Sequence, residues 1–222
     1  MKIEYWYLNK MDRQFDGLFY MQKTNNKIKI RNFKEDLNMA IYGNMTWANG
    51  VEHMVCESSK MKATIVGNLY DVIVRDDADE AIAVDNGTLI WVGDYTGEGL
   101  QTRYAKVAAD TDKVALVLSV PTVKDGTTKG SEAPTNFYNK AGAVARAYEV
   151  VEEDIFGVSK NFIDGDVAVG AYVVWDSASK KYKVSATDPS ATSGFVAKVH
   201  SIQVGSFYDL VRLFVIQNKD VA

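Results

Sequence analysis

The stretch NKAGAVARAYEVVEEDIFGVS (residues 139–159), continued by DGDVAVGAYVVWD (residues 164–176), decides how this chain is read. Ala143, Ala145 and Ala147 alternate with Val144, Arg146 and Tyr148. A period of two places successive side chains on opposite faces of a strand, here with one face of small residues. That small face is expected to lie against another sheet or another subunit. Arg146, midway along the strand, reaches water on its methylene stem. Asp164-Gly165 is a turn, and Val167 to Trp175 reads as the next strand, apolar and aromatic. The stretch therefore closes one β unit and opens another.

Working outward, the second unit runs through a hairpin loop at Ser177–Lys181 and a returning strand at Tyr182–Ser185. Strands at Gly194–Val199 and Leu210–Ile216 complete it. The first unit has the same order. Met61–Val66 and Leu69–Val74 are strands, and Arg75–Glu80 is a polar loop. Asn86-Gly87 between apolar runs signals a tight turn. Thr88–Val92 is a strand closed by Gly93, Gln101–Val107 is a short β segment, and Lys113–Val120 is a strand apolar enough to be buried on both faces. Polar residues 121–138 form a connector. Aligning Gly87 with Gly170, Tyr104 with Tyr182 and Lys113–Val117 with Gly194–Val199 gives one plan twice: glycine turn, aromatic strand, tyrosine strand, apolar strand. Such self-similarity marks duplicated supersecondary units. Each is too small for a large core, so the two are expected to pack together or on neighbours. The fold class is mainly β: two tandem small β-barrel or β-tulip-like units with an extended N-terminal arm. The divisions are residues 1–60, 61–153 and 154–222.

The first 38 residues differ in character. Tyr5, Trp6, Tyr7, Phe15, Phe19 and Tyr20 are mixed with eight Lys or Arg against five Asp or Glu. Three readings stand. The segment is a basic aromatic arm that docks on an acidic neighbour, or an element packed on the core, or the product of a mis-assigned start. For the last, Lys34-Glu35-Asp36 can be encoded as a sequence like a bacterial ribosome-binding site ahead of Met39. Residues 40–57, with a turn at Asn49-Gly50, read as an extended arm.

The chain has 222 residues, 47% hydrophobic, with a formal net charge of −4. A core can form, and no basic face invites a nucleic acid. Cys56 is the single cysteine, so neither an internal disulfide nor a cysteine metal site is available. His53 and His200 have no third ligand near them in sequence. The acidic loop Asp76–Glu80 lacks the spacing of a helix-loop-helix calcium site and reads as solvated. Residues 93–99 are glycine-rich, without the strand–helix frame of a phosphate cradle. Glu152-Glu153 and Asp164/Asp166 are the carboxylate pairs that could serve as acid and base, and adjacent acids of this kind are more often solvated. No catalytic residue, cofactor or metal is assigned. There is no signal-peptide pattern and no apolar run of membrane-spanning length.

The second unit, roughly residues 154–216, resembles the small β modules of tailed-phage capsid decoration proteins. It shares an acidic turn, a glycine, an aromatic strand, a short hairpin, a tyrosine strand and a valine-rich strand. The run Asp85-Asn86-Gly87, residues 139–148 and Asp154-Ile155-Phe156 resembles head-associated structural proteins of phages of Gram-positive and related gut bacteria. The resemblance implies a non-enzymatic virion protein on the capsid exterior, assembled in the host cytoplasm. Its partners would be the major capsid protein and its own copies, often as trimers, with no nucleic acid or membrane. Tyr42, Trp47, Arg146 and Tyr148 are the candidate capsid or subunit contacts, with a core role also open for Tyr148 and Trp175. The alternative function is a fibre, tail or host-surface binding module, with Tyr95 or Phe207-Tyr208 as exposed aromatics.

Overall fold

The computed structural model describes residues 19–24, 27–32, 53–57, 61–63, 69–97, 101–120, 135, 137–205 and 208–221. Residues 1–45 and 46–222 are separate units. In the first, strands β1 (Phe19–Thr24) and β2 (Lys27–Asn32) pair antiparallel, with Phe19 opposite Asn32 and Thr24 opposite Lys27.

The second unit contains a closed barrel and a curled sheet. The barrel strands are β3 (Leu69–Arg75), β4 (Leu89–Tyr95), β5 (Thr102–Val107), β6 (Ala115–Val117) and β7 (Ala145–Glu149). They close in the order β3-β5-β4-β6-β7. β3 and β5 are parallel, and every other pair is antiparallel. The sheet comprises β8 (Ile155–Ser159), β9 (Ile163–Asp164), β10 (Tyr172–Asp176), β11 (Lys181–Ser185), β12 (Phe195–Gln203) and β13 (Leu210–Asn218). Its order is β8-β13-β12-β10-β11-β9, with only β11 and β9 parallel.

The two sheets carry one pairing scheme. β4 lies between β5 and β6, as β10 lies between β11 and β12. β3 runs parallel to β5 and antiparallel to β7. In the second copy that role is divided: β9 runs parallel to β11, and β8 antiparallel to β13. Residue equivalences follow from register. Val92 faces Ala105, and Trp175 faces Tyr182. Ile90 faces Ala115, and Val173 faces Ala197. Ala147 faces Tyr70, and Leu213 faces Phe156. Tyr182 is therefore the counterpart of Ala105, one place on from the Tyr104 that the sequence alignment gives it. Gly87 and Gly170 do correspond, and both adopt positive φ, +95° and +87°.

Side-chain volume distinguishes the copies. The barrel interior is filled by Val72, Val74, Val84, Ile90, Ala105, Ala115, Val117, Ala145 and Ala147. Where the barrel has Val92, Ala105 and Ala147, the second copy has Trp175, Tyr182 and Leu213. A five-stranded barrel is narrow and its interior must be filled by its own side chains, so alanines suit a closed one. The larger set is accompanied by a break in the first strand. Val72 corresponds to Val158 and Val74 to Ile163, so three extra residues, the 3-10 turn Lys160–Phe162, separate β8 from β9. The second copy is left as a half-barrel.

Its open side is covered by the first copy. Leu89, Val114, Leu116, Leu118, Ala108 and Val150 enter the same core as Phe156, Trp175, Tyr182, Phe195 and Leu213. The strand predicted at Lys113–Val120 is reduced to β6 but is buried on both sides for this reason. Ala115 and Val117 face the barrel interior, and Leu116 faces the shared core. The alanine face of β7 lines its own barrel, not a neighbouring sheet or subunit. Polar bonds join the copies as well. The Trp175 indole donates to the Ala108 carbonyl at 3.0 Å, and the Tyr182 hydroxyl to the Gly87 carbonyl at 2.7 Å. Asn218 donates to the carbonyls of Val114 (2.8 Å) and Val150 (2.6 Å) and accepts from the Val114 amide.

The turn expected at Asn86-Gly87 is present, and residues 81–84 lead into it without forming a strand. Ala81 and Val84 make isolated bridges to Arg75 and Asn139, and the Asn86 side chain clamps the Ser119 backbone from both sides. Gly93 does not end β4, which bulges between Val92 and Tyr95 and continues. Of the arm read over residues 40–57, residues 53–57 lie with 61–63 along the outer edge of β8, through bridges Cys56–Val158 and Lys62–Ile155.

Candidate binding surface

At one mouth of the barrel lies a cleft of about 430 Å³ lined by Leu69, Tyr70, Asp71, Tyr95, Gln101, Arg103 and Arg146. Register builds it: Asp71 stands opposite Arg146 and Thr102, and Tyr95 opposite Arg103. The Arg103 guanidinium lies 4.3 Å from the Tyr95 ring centroid and 5.2 Å from that of Tyr70, and donates to the Tyr95 hydroxyl at 3.0 Å. Two π faces thus hold the cation in one orientation. Arg146 Nε is 3.8 Å from Asp71 Oδ1, a surface pair of small energetic weight. The Tyr70 hydroxyl donates to Glu149 at 2.9 Å. Partial burial, then that bond, raises the Tyr70 pKa, so the phenol remains a neutral donor. Glu149 also pairs with Lys113.

Arg146 thus sits exposed at this cleft, on the solvent side of β7. Tyr148 is half-buried against the shared core, and Trp175 is fully inside it. Tyr42 and Trp47 lie outside the described residues, as does Phe207. The hydroxyl of Tyr208 donates to Glu57, and burial followed by that bond raises its pKa.

A second surface lies on the outside of β4, β5 and β3. Trp91 stands opposite Lys106, and Lys106 opposite Arg75; Tyr104 stands opposite Ile73. Trp91 is 46% exposed although it belongs to a strand with two fully buried residues. Gly93, two places along the same face, makes room for it: a Cβ there would stand 2.8 Å from indole Cζ3. The indole lies down on the strand instead of standing away from it. Arg75 caps the Tyr104 ring at 3.9 Å and pairs with Asp79 at 2.8 Å; Lys106 is 3.5 Å from Asp77.

The other candidates resolve into local structure. Among the described residues, no group of three or more His, Cys, Asp or Glu is placed to hold a metal ion. Asp76 accepts from the Ala78 and Glu80 amides and closes its own loop. Cys56 is buried, and desolvation raises its thiol pKa far above the ordinary value. Glu152, Glu153, Asp164 and Asp166 are exposed, with Asp164 3.9 Å from Lys181. His200 is exposed, with its Nδ1 3.4 Å from the Ser201 hydroxyl. Sequence reasoning missed the partners of His53. Its Nδ1 is 2.8 Å from Asp85 Oδ1, and its ring stacks on Tyr138 at 4.7 Å. Asp85 is 32 positions away and Tyr138 lies in the connector ahead of β7, so no local spacing could reveal them. The second carboxylate oxygen of Asp85 accepts the Met54 amide at 2.9 Å, which ties residues 53–54 to the turn before β4.

No protein-family model matches this chain, and no curated protein or solved structure matches it either.

Proposed function

We propose that this chain is a structural virion protein that binds the outside of a phage capsid and stabilises the shell. The observation that carries the reading is the closed barrel and its half-barrel copy joined through one shared core, which supports the resemblance of the second copy to capsid decoration modules. A body whose copies share both core and hydrogen bonds transmits load without hinging between them. Bound in many copies to the major capsid protein and to itself, it would gain strength by avidity. The cleft beside Arg146 and Arg103 supplies oriented cations for acidic side chains of a neighbouring subunit. A fibre, tail or host-surface module is the second reading, favoured by the exposure of Tyr95 and Trp91.

Quantitative mass spectrometry of purified phage particles that encode this chain separates the two. Hundreds of copies per particle are the result expected for a decoration protein. A handful would transfer the function to a fibre or tail, and absence from the particle would remove the virion reading altogether.

A further inference from the structure

We infer that the cleft at the barrel mouth is a binding site for one carboxylate group, taken by the guanidinium of Arg103. The inference narrows the contact proposed above for this cleft to a single chemical group, and it does not require that the group belong to a capsid.

The first ground is the way Arg103 is held. Tyr70 and Arg103 lie two places before Val72 and Ala105, which are buried in the barrel interior, so both stand on the inward side of their strands at its lip. The guanidinium is fixed between the rings of Tyr95 and Tyr70. Tyr70 is in turn held by Glu149, and Glu149 by Lys113. Side chains from β3, β4, β5 and β7 therefore set the position of one cation. Among the described residues, Arg103 donates to the Tyr95 hydroxyl and pairs with no carboxylate. Glu149 is engaged by Tyr70 and Lys113, and Asp71 lies beside Arg146. A planar fork that is already oriented loses little freedom when it binds.

The second ground is charge and size. The lining carries two guanidinium groups, Arg103 and Arg146, and the one carboxylate of Asp71. Arg146 Nε is 3.8 Å from Asp71 Oδ1, too far for a hydrogen bond. Asp94, in the bulge between Val92 and Tyr95, is exposed and adds a carboxylate at the rim. Lys113 offsets Glu149. The surroundings are thus close to balanced, and capture of a phosphate dianion needs an excess of cations. A planar monoanion needs only the fork, which a carboxylate matches with two parallel bonds. The cleft of about 430 Å³, walled by Leu69, Tyr70 and Tyr95, takes a carboxylate on a short apolar stem. An acidic protein side chain and a free small acid both present that group.

The full chain, labelled with nitrogen-15, is titrated with butyrate, with the α-amide of N-acetylglutamate and with inorganic phosphate, while the arginine Nε–H resonances are followed by NMR. The Arg103 resonance is expected to shift saturably with both carboxylates in the millimolar range, and phosphate to bind at least severalfold more weakly. Arg103→Gln should abolish binding. Arg103→Lys, which keeps the charge and loses the fork, should weaken it severalfold. Arg146→Gln should also weaken it, which keeps the test open if the Arg103 variants fold poorly, and Lys106→Gln on the outer face should not. Tighter binding of the glutamate amide than of butyrate makes a protein side chain the source, and the reverse order makes it a free acid. The proposal is overturned if neither carboxylate moves the Arg103 resonance, if phosphate binds as tightly as they do, or if binding survives Arg103→Gln. Copy number per particle is not read here, so this inference and the capsid reading can fail separately.

Discussion

Single buried polar atoms set the tie between the two copies. The Tyr182 hydroxyl lies in the core, where burial raises its pKa and keeps it protonated, and it donates to the carbonyl of Gly87. Tyr182→Phe would leave that carbonyl without its donor, and such a loss costs about 1–3 kcal/mol. The expected result is a melting temperature lower by several degrees with no change in secondary structure, measured by calorimetry and circular dichroism. At the surface, Asp188 accepts from the Ser190 hydroxyl and amide, which hold its carboxyl below the ordinary aspartate range. A depressed folded pKa stabilises above the unfolded value and loses that contribution as pH falls through the folded one. Ser190→Ala should therefore lower the melting temperature near neutrality. The difference from the parent should shrink as pH falls below the ordinary aspartate range and disappear once Asp188 is protonated in both.

At the scale of strands, side-chain volume separates the copies. Ala147→Leu would place in the closed barrel the residue that the second copy carries at Leu213. Overpacking of a filled interior costs about 1–3 kcal/mol. Leu213→Ala, the reverse exchange, opens a void in the shared core and should cost about 2–5 kcal/mol. Urea unfolding of both variants checks the pair, and a Leu at position 147 without effect would show that the barrel interior is slack. The alternation around Arg146 and most strands of each copy were legible in the sequence, because a period of two and glycine turns are local signals, but β8 and β9 were not read as strands. The partner of the alanine face was not legible, since an empty-looking face can meet a sheet, a subunit or its own barrel. The half-turn between β8 and β9 was invisible, because Lys160-Asn161-Phe162 carries no breaker residue. The seat of Trp91 was also missed. Gly93 looked like a strand end, and only the bulge shows it serving the ring beside it.

For the body as a whole, residues 69–221 contain two sheets but a core that neither completes alone. Leu89, Leu116 and Leu118 of the first copy meet Phe156, Tyr182 and Leu213 of the second. One cooperative unfolding transition is therefore expected, seen as equal calorimetric and van't Hoff enthalpies. Two resolved transitions within this body would contradict a shared core. The unequal filling of the copies has a further effect on how the chain finds its fold. Two segments with one pairing scheme can exchange partners while the chain is still searching, a recognised hazard of tandem repeats. Here an exchanged β7 and β13 would put alanines among aromatics on one side and a leucine into a filled barrel on the other. Each wrong pairing carries its own void or clash, so the divergence of Ala105 from Tyr182 and of Ala147 from Leu213 works as a proofreading code between the halves of one molecule.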